Sequence, residues 1–315
     1  MNEKSKVYFT KEITPASLVK IYEQLNVPLD GKKVAVKIST GEAGNTNYLK
    51  PELIKDLVEK VNGTIVECNT AYQGARQETA AHRQTIEDHG FTKIANVDIM
   101  DADGEIEIPV EGGKHLAVDI IGKNFAGYDA MINLAHFKGH PMGGFGGALK
   151  NQSIGIASSV GKVYIHTAGK SRDLEKFLHC FDEPEDGAEM RPEAVELLPP
   201  QDDFLESMAE AAKAVADYCV AEHKPILYIN VINNLSVDCD CVAEPEAPCM
   251  NDIGIAASLD PVALDQACID MVYNSTDPGR DHFVERVEQQ NGRHIIETAA
   301  ALGLGSRDYE LINLD

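Results

Sequence analysis

The order of apolar runs predicts an α/β protein with a mainly parallel, Rossmann-like sheet flanked by helices, in one or two subdomains. Three observations carry that prediction. A β-branched run at residues 33–39 precedes a helix opened by Pro51, with Leu53, Ile54, Leu57, Val58 and Val61 on one face, and a second strand follows at 64–68. That is one βαβ unit, whose crossover implies parallel strands and a right-handed connection. Residues 129–135 are apolar on both faces, as a central strand must be, and residues 225–232 form the strongest strand pattern in the chain.

The other elements follow in order. Gly63 closes the first helix, and a second helix over 78–89 stops at Gly90. A strand is expected at 94–100, with shorter ones at 105–110 and 116–121. Residues 203–222 read as a long amphipathic helix with Leu205, Met208, Ala212, Val215 and Cys219 on its apolar face, which makes Cys219 a core residue. A short strand at 252–257 leads to a helix from Pro261 to about residue 272, where Cys268 lies among packing residues. The Pro- and Glu-rich stretch at 181–200 reads as a surface connection. It divides the chain into an N-terminal α/β region over 1–180 and a C-terminal α/β region over 201–315. There is no Trp, so the core must be mainly aliphatic.

With 28 basic against 51 acidic residues, the formal net charge is −23. Charge of that sign, spread along the chain, argues against nucleic acid or an anionic membrane surface as partner. Seven cysteines cannot pair completely, the N-terminus has no signal-peptide run, and no apolar stretch reaches the ~18 residues of a membrane helix. A cytoplasmic protein with reduced thiols is therefore expected. Oligomeric state is not written in these features.

Two loops carry chemistry. Cys239, Cys241 and Cys249 form a C-x-C step followed by a third Cys, with Pro245 and Pro248 between, directly after the strongest strand. Thiolates select soft centres such as iron–sulfur clusters, zinc or copper(I), and Pro and Asp neighbours suit a ligand loop better than a core. The same spacing also fits three reduced thiols packed near the core. The second loop follows the strand at 129–135. It holds His136, Lys138, His140 and Lys150 around Gly139, Gly143, Gly144, Gly146 and Gly147, and ends at Asn151. Loops at the carboxyl ends of parallel strands bind ligands, and backbone N–H groups at such glycines, with a helix start near Gly146, suit an anion. The nucleotide fingerprints fail, since Leu149 and Tyr164 stand where a Rossmann glycine and a P-loop glycine are required. Lys37 and the loop at 40–48 lie on the same rim if their strands are neighbours. Arg76 and His82 read as surface residues as readily as site residues, and His179 with Cys180 reads mainly as structural.

Taken together, residues 133–140, 146–151, 238–241, 252–255 and 260–268 resemble a widespread bacterial and archaeal family of unknown function commonly labelled uncharacterised Fe–S centre proteins. Many relatives carry a ferredoxin-type insert of two C-x2-C-x2-C-x3-C runs after the glycine-rich segment, which this chain lacks. The resemblance supplies no reaction, and tilts the soft centre toward iron–sulfur. The expectation is a [4Fe–4S]-type cluster on Cys239, Cys241 and Cys249, with His140 or Cys180 as fourth ligand. His136, Lys138 and Lys150 would then orient a small anionic substrate for redox or lyase-like chemistry, with an electron-transfer protein as possible partner. A zinc site, or a non-catalytic metal or cluster carrier, is the alternative.

Overall fold

The computed structural model describes residues 4–181 and 191–315. Its strands are β1 (Ser5–Thr10), β2 (Val34–Lys37), β3 (Thr64–Glu67), β4 (Val97–Ile99), β5 (Glu105–Pro109), β6 (Val118–Gly122), β7 (Ala130–His136), β8 (Lys138–His140), β9 (Gly144–Gly146), β10 (Ile226–Ile232), β11 (Gly254–Ser258) and β12 (Tyr309–Asn313). Eight of them form one sheet in the order β12-β1-β11-β10-β7-β2-β3-β4. Only β11 runs against the others, antiparallel to both β1 and β10. The mixed α/β class with a mostly parallel sheet is as the sequence predicts.

From β2 the chain steps outward through β3 to β4, whereas from β7 it steps the opposite way to β10. The β2–β7 junction is therefore a topological switch point, and a crevice opens there beyond the carboxyl ends of the strands. Residues on both sides of the 181–200 connection contribute strands to this one sheet. Within that connection, residues 182–190 lie outside the described residues, and Pro192–Leu197 is helical.

The helices are α1 (Pro15–Gln24), α2 (Pro51–Lys60), α3 (Thr79–Asp88), α4 (Ala148–Ile156), α5 (Ser159–His166), α6 (Leu174–His179), α7 (Pro192–Leu197), α8 (Gln201–Ala221), α9 (Pro261–Tyr273), α10 (Arg280–Gln289) and α11 (His294–Ala301). They cover both faces of the sheet. On one face, Leu18, Ile21, Ile54 and Leu57 from α1 and α2 pack on Val34, Val36, Ile132 and Leu134. On the other, α4, α8 and α9 bring Leu149, Leu205, Met208, Val262 and Leu264 into the largest core. Asp260 caps α9 through the N–H groups of Val262 and Ala263, at 2.9 and 3.0 Å, and also accepts from Ser5 Oγ and Ser306 N. One carboxylate thus ties both chain ends to the core.

The expected strand at 94–100 shortens to Val97–Ile99 because Phe91–Lys93 forms a 3-10 turn. Cys219 and Cys268 are buried packing residues, as their helical positions predict. The edge pair β1 and β12 carries no βαβ signal in the sequence, since its partner strands lie about the whole chain length apart.

Candidate ligand and metal site

The glycine-rich loop and the cysteine loop meet. Gly139 N donates to Ser236 O at 2.8 Å, and a Cβ on Gly139 would stand 2.4 Å from Val237 O, so only glycine allows the approach. From the other side, the loop after β2 grips the same segment. Glu42 N donates to Asp240 O at 2.8 Å and Asn45 Nδ2 to Val242 O at 2.7 Å. Three loops from β2, β7 and β10 therefore close on one cavity of about 530 Å³.

The structure brings His140, Cys239 and Cys241 together, with one ligand atom of each within 4.8 Å of the others. Cys249 is not in that set. Its thiol donates to Leu235 O at 3.2 Å, so the expected three-cysteine cluster is not assembled. Cys180 is also apart, turned to Lys176 O at 3.4 Å in a separate apolar cluster with Phe177. All seven cysteines are free thiols.

Electrostatics separates the two clustered thiols. Cys241 donates to Cys239 and, against burial, the Lys138 and Lys150 ammonium groups join in holding the Cys239 thiol well below its ordinary value. The same thiol-to-sulfur hydrogen bond, together with burial, pushes Cys241 well above it. His140 is neutral, because burial and then the Lys150 ammonium push its imidazole down to about 4. Its Nδ1 accepts from Met142 N at 3.1 Å and Gly143 N at 2.9 Å, which places the ring proton on Nε2. A metal-bound histidine normally donates through its second nitrogen. Here that nitrogen accepts, so His140 is set to donate from Nε2 rather than to ligate.

His136, expected to orient substrate, does not line the cavity. Its Nδ1 lies 2.8 Å from Asp240 Oδ1 and its Nε2 2.6 Å from Asn233 O, so both nitrogens face oxygen acceptors. Its role is to fix Asp240, whose other oxygen pairs with Lys138 Nζ at 3.0 Å. Lys138 and Lys150 do line the cavity, and Lys150 has no ion pair within 4.0 Å among the described residues. Burial works to neutralise Lys138, and Asp240 with Cys239 outweighs it, which keeps the ammonium charged.

The other four glycines of the loop divide. Gly146 and Gly147 line the cavity, whereas Gly144 (φ +77°) packs against Gly292 and Val287, and Gly143 lies behind His140. The expected anion cradle at the start of α4 is already filled by protein. Asp265 accepts from Ala148 N at 2.8 Å and Leu149 N at 2.9 Å, and a Cβ on Gly147 would stand 2.4 Å from its carboxylate. Asn151 lines the cavity, with its amide joined to Lys37 O, Lys37 Nζ and Asn133 Oδ1.

Several site residues carry only a weak local signal in the sequence. Arg76 and His82 are buried, not on the surface, at 4% and 0% exposure. Both bind Glu67, at 3.1 and 3.2 Å, and Thr40 Oγ1 donates to the same carboxylate. Against burial, Arg76, His82 and Lys37 hold that carboxyl well below the usual range. Lys37, brought to the cavity by β2, is pushed down to about 8 by burial against the pull of Glu67. Lys162 on α5 also reaches it, lowered by burial. The cavity thus gathers Lys37, Arg76, Lys138, Lys150 and Lys162 in a chain of net charge −23. Such local concentration of positive charge favours an anion.

Residues 34–270 match the model of a family described as Domain of unknown function (DUF362). Among solved structures, the chain is similar to the lactate racemase apoprotein from Thermoanaerobacterium thermosaccharolyticum, at 14% identity and a TM-score of 0.44, over 88% of this chain and 60% of that one. It is similar to a protein from Thermotoga maritima at 15% identity and a TM-score of 0.36, over 91% of this chain and 58% of that one. The chain therefore spans less than two thirds of either. No curated protein matches it. No helix among the described residues is long and apolar enough to cross a membrane.

Proposed function

The chain belongs to the DUF362 family, and we propose that its rim cavity takes a small anionic molecule against a soft-metal centre held by Cys239 and Cys241. The observation that carries this reading is the clustering of His140, Cys239 and Cys241 at the wall of a cavity lined by five basic side chains. A C-x-C thiolate pair favours thiophilic metals such as iron or zinc over hard ions. A metal there would supply Lewis-acid polarisation or an electron.

A cluster or zinc tetrahedron on three cysteines fits these residues poorly, because the Cys249 thiol is spent on the Leu235 carbonyl. The centre would therefore rest on two thiolates, and its remaining positions would face the cavity. The protein's own groups do the rest. Lys138, steadied by Asp240, and Lys150 hold and orient the anion. Neutral His140 offers its Nε2–H to a sulfur or to the bound anion.

The test is anaerobic purification with determination of iron, zinc and sulfide. A metal centre is expected in the natural protein and in Cys249→Ser, and is lost in Cys239→Ser and Cys241→Ser. Iron with sulfide identifies an iron–sulfur centre, and zinc without sulfide a mononuclear one. Protein that stays metal-free after anaerobic reconstitution overturns the reading.

A further inference from the structure

Lys37 and Lys162 line the cavity at 2% and 6% exposure. Lys37 Nζ donates to Ile38 O at 2.6 Å and Asn151 Oδ1 at 3.1 Å, and Lys162 Nζ donates to Ala157 O at 2.5 Å. An ammonium has three N–H groups, so one remains on Lys37 and two on Lys162. Neither lysine has an ion pair within 4.0 Å among the described residues. The nearby Glu67 carboxylate is taken by Arg76, His82 and Thr40. Asp101 and Asp119 act on Lys162 only from beyond ion-pair distance. Thr70, 5% exposed, lines the same cavity, and its buried hydroxyl has no hydrogen-bond partner.

Burying ammonium groups without a directly paired counter-charge is costly, and so is an orphaned hydroxyl. Both costs fall if an anion from outside completes the set. We propose that Lys37, Lys162 and Thr70 form a carboxylate-binding subsite, which fixes one end of a small carboxylic acid while its other end lies toward Cys239 and Cys241. The proposal rests on the reading of this cavity as an anion site and adds the substrate class.

Carboxylate fits better than phosphate. Phosphate sites draw on free helix N-termini and runs of backbone N–H groups. At this cavity Asp265 occupies the start of α4. The start of α5 is occupied by Asp101, which accepts from Ser159 N, and by Ser158 Oγ, which accepts from Gly161 N. Two ammonium groups and one hydroxyl remain, a set that suits two carboxylate oxygens. Gly155 makes room for it, since a Cβ there would stand 2.6 Å from Lys37 Nζ.

Calorimetric titration with malonate, and separately with inorganic phosphate, tests the subsite. Saturable malonate binding is expected, weakened about tenfold or more in Lys162→Met and Thr70→Val, as loss of a charge-assisted contact implies. Lys162→Arg, which keeps the charge, should recover part of it. Metal content should not change in Lys162→Met, and malonate binding should survive Cys239→Ser. Loss of metal binding with malonate binding intact would therefore sink the metal reading and leave the subsite standing. No malonate binding, or binding indifferent to both Lys162→Met and Thr70→Val, overturns the subsite. Phosphate binding that depends on these residues, without malonate binding, overturns the carboxylate assignment.

Discussion

His136 and Asp240 are joined at 2.8 Å, Nδ1 to Oδ1, with both side chains 1% exposed. Asp240 lies between the two clustered cysteines in sequence and passes its second oxygen to Lys138 at 3.0 Å. One carboxylate therefore sets the end of β7, the cysteine loop and a cavity cation in register. Its acid form is disfavoured, since His136 and Lys138 outweigh burial and hold the carboxyl below its ordinary value.

Removing that carboxylate is expected to hurt stability more than removing an exposed charge. Asp240→Ala leaves His136 and Lys138 buried without their partner, and truncating one side of a buried pair costs about 3–5 kcal/mol. Urea denaturation reads the loss. A cost under about 1 kcal/mol, the range of exposed pairs, would mean that water replaces the carboxylate.

Glu67 sets an acid limb on the stability curve. Its folded-state acidity is stronger than that of an unfolded glutamate, which titrates near ~4.3. The group therefore contributes stability that is fully present above that pH and is lost as pH falls through and below it. Glu67→Gln should lower stability at neutral pH and flatten the acid limb. Denaturation midpoints from neutral to acid pH check this, and parallel curves for the two proteins would refute it.

Two glycines of α4, Gly147 at its N-cap and Gly155 in its last turn, should respond differently to alanine. A Cβ on Gly155 meets the far end of a flexible side chain, Lys37 Cε and Nζ at 2.6 Å, so Gly155→Ala should displace that ammonium and weaken anion binding with little loss of stability. A Cβ on Gly147 meets a carboxylate already pinned by Ala148, Leu149 and Asn230. Gly147→Ala should uncap α4 and cost about 1–2 kcal/mol, the range for a lost cap. Equal thermal shifts in the two variants would contradict the distinction.

In metal-free protein, the two clustered thiols should not react alike. Cys239 is held toward thiolate while Cys241 keeps its proton, so iodoacetamide at near-neutral pH should label Cys239 first. Peptide mass mapping reads the order. Lys138→Met should move Cys239 labelling to higher pH, and an unmoved profile would exclude the ammonium as its cause.

The βαβ beginning, the central β7 and the strand before the cysteine loop are legible in the sequence because each is a local apolar pattern with a local stop. Asp265 is not legible as a site residue, since it reaches Ala148 and Leu149 across more than a hundred residues. Arg76 and His82 read as surface residues as readily as site residues, for nothing nearby in the chain announces the buried Glu67 they bind. The C-x-C step does announce thiols on a rim. The third cysteine of the pattern stands apart, because spacing says nothing about the Leu235 carbonyl that accepts its hydrogen bond.

The sequence by itself determined the α/β class, the helix faces and the two loops that carry ligand-type residues. These follow from periodicity and from turn chemistry, which act over a few residues. Only the tertiary structure decided which of those residues share a cavity. Strand order put β2 beside β7 and β10, and that long-range choice gathered His140, Cys239, Cys241 and five basic side chains while leaving Cys249 out. Burial then set their charge states, because desolvation and neighbouring charge exist only once the chain has folded.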